Sequence, residues 1–138
     1  MKKLTASLLI AASTLVASPA VLAATADNAA KTVNVQFKRG TSSAHYTGKV
    51  NGYKYHDYTF RARKGQKLQV KLSGGNVEPY LFHSKLSDSV NVGVNSPELT
   101  NGVYVLPYDG TYTLRINQPR ASARDGKTQQ YWLMIGIR

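Results

Sequence analysis

Residues 58–72 read YTFRARKGQKLQVKL, and their pattern decides the fold. Tyr58, Phe60 and Ala62 fall on one side of a period-two alternation, with Thr59, Arg61 and Arg63 on the other. Lys64-Gly65-Gln66 makes a turn, after which Leu68, Val70 and Leu72 alternate with Lys67, Gln69 and Lys71. Successive side chains of a strand point to opposite faces, so each arm buries one face and wets the other. Two such arms around a glycine-centred turn predict a β-hairpin.

The same period runs outward in both directions. Val33, Val35 and Phe37 alternate with Asn34 and Gln36, and Lys38-Arg39-Gly40 turns the chain. His45 to Val50 is a second strand closed by Asn51-Gly52, a turn-forming pair. After Ser73-Gly74-Gly75-Asn76, Tyr80-Leu81-Phe82 reads as a buried strand core. Residues 83–101, rich in Ser, Asp, Asn and Gly, read as a loop-rich crossing with one short strand at Val90 to Val92. Val103 to Leu106 then enters LPYDGTYTLR, residues 106–115, which reads as a hairpin corner followed by alternating Tyr112, Leu114 and Ile116. A polar stretch from Gln118 to Gln130 precedes a last strand carrying Tyr131, Leu133, Ile135 and Ile137 on one face. No segment carries an amphipathic helical pattern, and no internal repeat stands out. The expectation is an all-β chain, a small antiparallel β-sandwich of about seven or eight strands, with a small barrel as the alternative.

Residues 1–23 stand apart. Lys2 and Lys3 precede an apolar run, and Val21-Leu22-Ala23 offers the small residues of a signal-peptidase site. Cleavage after Ala23 or after Ala26 reads equally well, and residues 24–138 form a single domain. The apolar run is too short for a membrane span. The chain has no cysteine, so an exported domain of this size rests on its core rather than on disulfides. Removing Lys2 and Lys3 takes Lys plus Arg from 18 to 16 against 7 acids, a net charge near +9. Such a field favours an acidic partner and speeds encounter with it.

Catalytic patterns are missing from the sequence. His45, His56 and His83 are widely spaced and read as surface or strand-rim residues, with no metal site implied. The seven acids are scattered, without a paired-carboxylate pattern, a nucleophile elbow or a phosphate-binding loop. The chain therefore reads as a binding protein without cofactor, and nucleic acid is not an ordinary partner for an exported one. Two stretches stand out. Asn51-Gly52-Tyr53-Lys54-Tyr55 places two tyrosines at a turn, either capping the end of the core or offering rigid anchors to a partner. QPRASARDGKTQQ, residues 118–130, repeats cations at Arg120, Arg124 and Lys127 in a loop too polar to bury. That run is either a solvated face or a pair of guanidinium forks for carboxylates.

From Val33 to Arg138 these pieces occur in an order that resembles the periplasmic inhibitors of g-type (goose-type) lysozyme of Gram-negative bacteria. The resemblance rests on VNVQFKRGTSSAHYTG, NGYKYHDYTF, ARKGQK, YLF, DSV, SPEL, the LP-x-x-G-x-Y-x-LR corner and the R-x-x-x-R-x-x-K-T run. It implies a periplasmic β-sandwich whose loops enter the substrate cleft of the lysozyme, a protein partner; the chain itself is expected as a monomer or weak homodimer, since any strand edge could pair with a twin. The family's turn tyrosine falls on Tyr53, and its two loop arginines on Arg120 and Arg124. Related inhibitors share a Ser-Gly-x-x-Tyr-like hairpin, written here Asp109-Gly110-Thr111-Tyr112. Aspartate in place of serine would repel an acidic cleft unless it turns toward Arg115 or a backbone N–H. The hairpin therefore ranks below Tyr53 and the two arginines. Two alternatives stay open: an inhibitor of invertebrate-type lysozyme, and a polysaccharide-binding module of the peptidase-associated kind.

Overall fold

The alternation of residues 58–72 sets which side chains enter the core, but the two arms do not pair with each other. In the computed structural model, which describes residues 30–138, nine strands build two sheets. The first holds β1 (Lys31–Asn34), β3 (His56–Ala62), β8 (Gly110–Asn117), β5 (Glu78–Phe82) and β6 (Val90–Asn91), in that order. The second holds β2 (Ser43–Asn51), β9 (Thr128–Ile137), β4 (Lys67–Gly74) and β7 (Tyr104–Val105). The expected hairpin is thus an arch: β3 pairs with β1 and β8, β4 with β9 and β7. The physical reason is that period two fixes a residue's face and not its neighbour. Tyr58, Phe60 and Ala62 meet Leu68 and Val70 across the core instead of beside them.

The corner at residues 106–110 is also an arch, carrying the chain from β7 in one sheet to β8 in the other. The sandwich expectation holds, with seven of the described strands four residues or longer. Its pairing is antiparallel except for β1, which runs parallel to β3. Between them the sheets enclose Val50, Leu81, Leu106, Leu114, Ile116, Leu133 and Ile135, all buried. Removing such side chains from water at about 25 cal/mol per Å² is the main stabilising term. Phe60 stacks on Tyr112 with ring centroids 5.7 Å apart.

His56 departs from its expected place at the rim, because it is buried. Its Nδ1 lies 2.7 Å from the Tyr131 hydroxyl, which lies 2.6 Å from the Tyr58 hydroxyl. Burial pushes both phenols above the ordinary tyrosine value, Tyr131 furthest. Tyr131 lies across Gly48, where a Cβ would stand 2.6 Å from its Cζ. The leader assigned to residues 1–23 lies outside the described residues.

Candidate functional site

The polar run after β8 is not a plain loop. Pro119 leads into a one-turn helix, α1 (Arg120–Arg124), and β9 begins at Thr128. Proline suits a helix entry, and Ala121 and Ala123 are strong helix formers. Past the end, Gly126 takes φ +67 and donates to the Ala123 carbonyl at 3.0 Å, while Lys127 N–H reaches Ser122 O at 3.4 Å. This is the left-handed closure that glycine accepts without steric cost. Ser122 and Ala123 are buried, and Arg120 and Arg124, four residues apart, project from the opposite side into solvent. Residues at that spacing sit about 5–6 Å apart at Cβ, so the two guanidiniums leave one face together. Neither makes a hydrogen bond or ion pair with another described residue.

Gln118 seats this helix. Its buried amide donates to Lys127 O at 2.6 Å and Val50 O at 3.1 Å, and its Oε1 accepts from Ser122 Oγ at 2.5 Å. The β2–β3 turn joins the same cluster: Gly52 N–H donates to Lys127 O at 2.9 Å, and Asn51 Nδ2 to Thr128 Oγ1 at 2.7 Å. Tyr53 stands at the tip of that turn, 67% exposed. The paired reading of the tyrosines therefore splits. Tyr53 caps nothing, whereas Tyr55 lies under the Arg115 guanidinium, 3.8 Å from ring centroid to Cζ, and Arg115 donates along its edge to Asp57, Nε to Oδ1 at 2.8 Å. Tyr53, Arg120 and Arg124 thus share one end of the sandwich on a hydrogen-bonded base, with Lys54 and Lys127 also exposed beside them.

The second candidate group lies elsewhere. Gly110 opens β8 and Asn117 closes it, so the Asp109–Gly110 corner is about 23 Å from the helix end of the molecule. Asp109 is turned to a backbone N–H: its Oδ1 accepts from Lys64 N at 2.7 Å, tying the two arches together. Arg115 is engaged with Asp57 instead. Gly110 has φ +123, and a Cβ there would meet His83 Nε2 at 3.2 Å. The His83 ring accepts from Lys85 N–H at Nδ1, so Nε2 carries the proton and donates to Asp109 O at 3.0 Å. Tyr112, expected as a contact, is 0% exposed, and its hydroxyl is bonded to both backbone groups of Tyr108. A side chain without accessible surface belongs to the core and offers a partner nothing.

No family model matches the chain. A curated relative does: the inhibitor of g-type lysozyme of Escherichia coli strain K12 is 46% identical over 120 residues, 86% of this chain and 90% of that protein. The chain belongs to the family of g-type lysozyme inhibitors. Solved members share its fold. A mutant of the Escherichia coli periplasmic inhibitor superposes with TM-score 0.78 at 46% identity, covering 80% of this chain and all of that one. The Salmonella Typhimurium inhibitor gives 0.76 at 45%, covering 78% and 98%. That of Aeromonas hydrophila gives 0.65 at 30%, covering 80% and 98%. These relatives inhibit an enzyme and are not enzymes themselves. Among the described residues of this family member no three metal-ligating side chains gather.

Sequence reasoning missed the helix of this inhibitor and the residue that seats it. The signal for α1 was present, since Arg120, Arg124 and Lys127 recur at the three- and four-residue spacing of a helical turn, with Gly126 just past its end. Gln118 left no signal, because one glutamine in a polar run looks like any other. Its importance comes from carbonyls of β2 and β9 that the fold brings to it.

Proposed function

We propose that this chain is exported to the periplasm by residues 1–23 and inhibits g-type lysozyme there, protecting peptidoglycan. The β2–β3 turn and α1 enter the enzyme's glycan-binding cleft together. Cleavage of a glycosidic bond depends on carboxyl groups in a cleft shaped for a sugar chain. Arg120 and Arg124 pair with acidic groups of that cleft and block the glycan, and Tyr53 packs its exposed ring against the neighbouring wall. The observation that carries this reading is one end of the sandwich bearing an exposed tyrosine and two guanidiniums without partners among the described residues. The backbone that carries them is held before binding by the Gln118 and Gly52 hydrogen bonds, which lowers that part of the ordering cost of association. The positive net charge is no obstacle, because complementarity at the cleft outweighs the overall sign. The Asp109–Gly110 corner, about 23 Å away along β8, takes no part in this insertion.

The test is a lysis assay in which the mature chain is titrated into goose-type, chicken-type and invertebrate-type lysozymes acting on bacterial cell walls. Inhibition confined to the goose-type enzyme is expected. Activity against the invertebrate type alone would move the target to that class, and inhibition of none would leave the sandwich without this role.

A further inference from the structure

The outer face of the β2–β9–β4 layer carries a feature that lysozyme binding does not use. Trp132 lies on β9, which is flanked by strands on both sides, yet it is 51% exposed. Its cross-strand partners are small, Thr47 on β2 and Ser73 on β4. Behind it the indole passes over Gly74, where a Cβ would stand 3.0 and 3.1 Å from ring atoms Cε3 and Cζ3. The ring is therefore seated on backbone and left open to solvent. Beside it runs a depression of about 350 Å³ lined by Thr47, Lys71, Ser73 and Met134. His45, Lys71 and Met134 also line a second depression of about 670 Å³, which continues past Lys67 to Arg138. Lys71 lines both, Lys67 and Arg138 line the second, and neither lining contains an acidic side chain.

We propose that this groove is a second binding site, for a carboxylate-bearing polysaccharide strand. An aromatic ring open to solvent between short polar neighbours suits the apolar face of a pyranose, while hydroxyl, amide and imidazole groups around it suit sugar hydroxyls. The one-signed lining selects an anionic chain. From Trp132 to the end of β9 the groove is about 17 Å long, room for several sugar rings. A protein partner fits less well, because Trp132 and the part-exposed Met134 supply too little apolar surface for an interface core. The choice of cell-wall glycan, whose carboxylates lie on its stem peptides and on lactyl groups that carry no stem, among anionic polysaccharides rests on the protective role proposed above. The groove runs away from Tyr53 and α1, so both sites can be filled at once, and the inhibitor would be held on the polymer that it protects.

The chain has one tryptophan, so its fluorescence reports this face alone. The experiment titrates the mature protein, without lysozyme, with soluble glycan strands from peptidoglycan. Chitin oligosaccharides serve as the neutral probe and anionic lipid vesicles as a second one. The expected result is a saturable change of Trp132 emission with the wall strands, and binding at least tenfold weaker to the neutral oligosaccharide. A Lys67→Glu/Lys71→Glu variant should lose the response while still inhibiting g-type lysozyme. Trp132→Ala, followed by co-sedimentation with insoluble wall, should bind at least tenfold less. No response to wall strands overturns the proposal, as does a response to vesicles alone or one that survives the charge reversal. Because no step requires lysozyme, failure here leaves the inhibitory reading standing, and failure of inhibition leaves this one testable.

Discussion

Replacing Gln118 by methionine keeps the side chain's length and removes its amide. Three short contacts vanish, to Lys127 O at 2.6 Å, Val50 O at 3.1 Å and Ser122 Oγ at 2.5 Å. The 3.4 Å approach to Gly52 O is too long to count for much. A net contribution of about 0.5–1.5 kcal/mol per hydrogen bond gives roughly 1.5–4.5 kcal/mol for three. Lys127 O keeps the Gly52 N–H at 2.9 Å, so its share lies at the low end. The expected loss is about 2–3 kcal/mol, or roughly 8–15 °C in Tm for a domain of this size. The same bonds hold α1 against the β2–β3 turn, so the arginines lose their fixed position although neither is altered. If about 1.4 kcal/mol of the loss appears as disorder at that end, inhibition of g-type lysozyme weakens about tenfold. Thermal melts and lysis titrations, the latter well below the variant's melting temperature, measure the two effects separately. Unchanged inhibition in a clearly destabilised Gln118→Met would refute the claim that this glutamine positions the site.

Three further outcomes are expected. Gly48→Ala places a methyl 2.6 Å from Tyr131 Cζ; it should cost about 1–3 kcal/mol in denaturant unfolding, and an unchanged midpoint would contradict the packing described. Asp109→Ala removes the bond to Lys64 N–H and should lower stability by about 1 kcal/mol while inhibition stays at the wild-type level; a large loss of inhibition would bring the far corner into the interface. The Tyr58 and Tyr131 phenols are raised by burial, so the folded state holds their protons more tightly than the unfolded chain does. The stability they contribute is full below about pH 10 and is lost as pH rises toward the folded values. Melts taken between about pH 9 and pH 11 should show Tm falling, with a shallower fall in Tyr58→Phe; equal slopes would count against burial as the cause.

Much of this protein is legible in its residues, at the level where one physical rule suffices. Tyr58, Phe60, Leu68, Val70, Leu114, Ile116, Leu133 and Ile135 lie in the core as period two requires. Pairing was not legible. Strands β3 and β4 obey the same alternation whether they share a sheet or face each other across the core, and only contacts distant in sequence, such as Gly65 N–H to Leu106 O at 2.8 Å, select the arch. Tyr112 shows the limit for sites. Its place on a strand face marked it as core, its resemblance to a family hairpin marked it as contact, and complete burial decides for the core. Tyr53, Arg120 and Arg124 were nameable from resemblance, but their common end of the molecule, and the helix that carries two of them, came only with the fold. His56 was unreadable for the same reason, since the tyrosine it meets is 75 residues away.

The most direct test of the central claim compares the wild-type chain with Arg120→Ala/Arg124→Ala as inhibitors of g-type lysozyme on bacterial cell walls. Both arginines are exposed and without side-chain partners among the described residues, so the variant should melt within about 0.5 kcal/mol of wild type. Leaving even one cleft carboxylate desolvated and unpaired costs about 2–5 kcal/mol. The inhibition constant should therefore rise by a factor between roughly 30 and several thousand. A folded variant that inhibits as well as wild type would place the contact surface elsewhere on the sandwich and contradict the account.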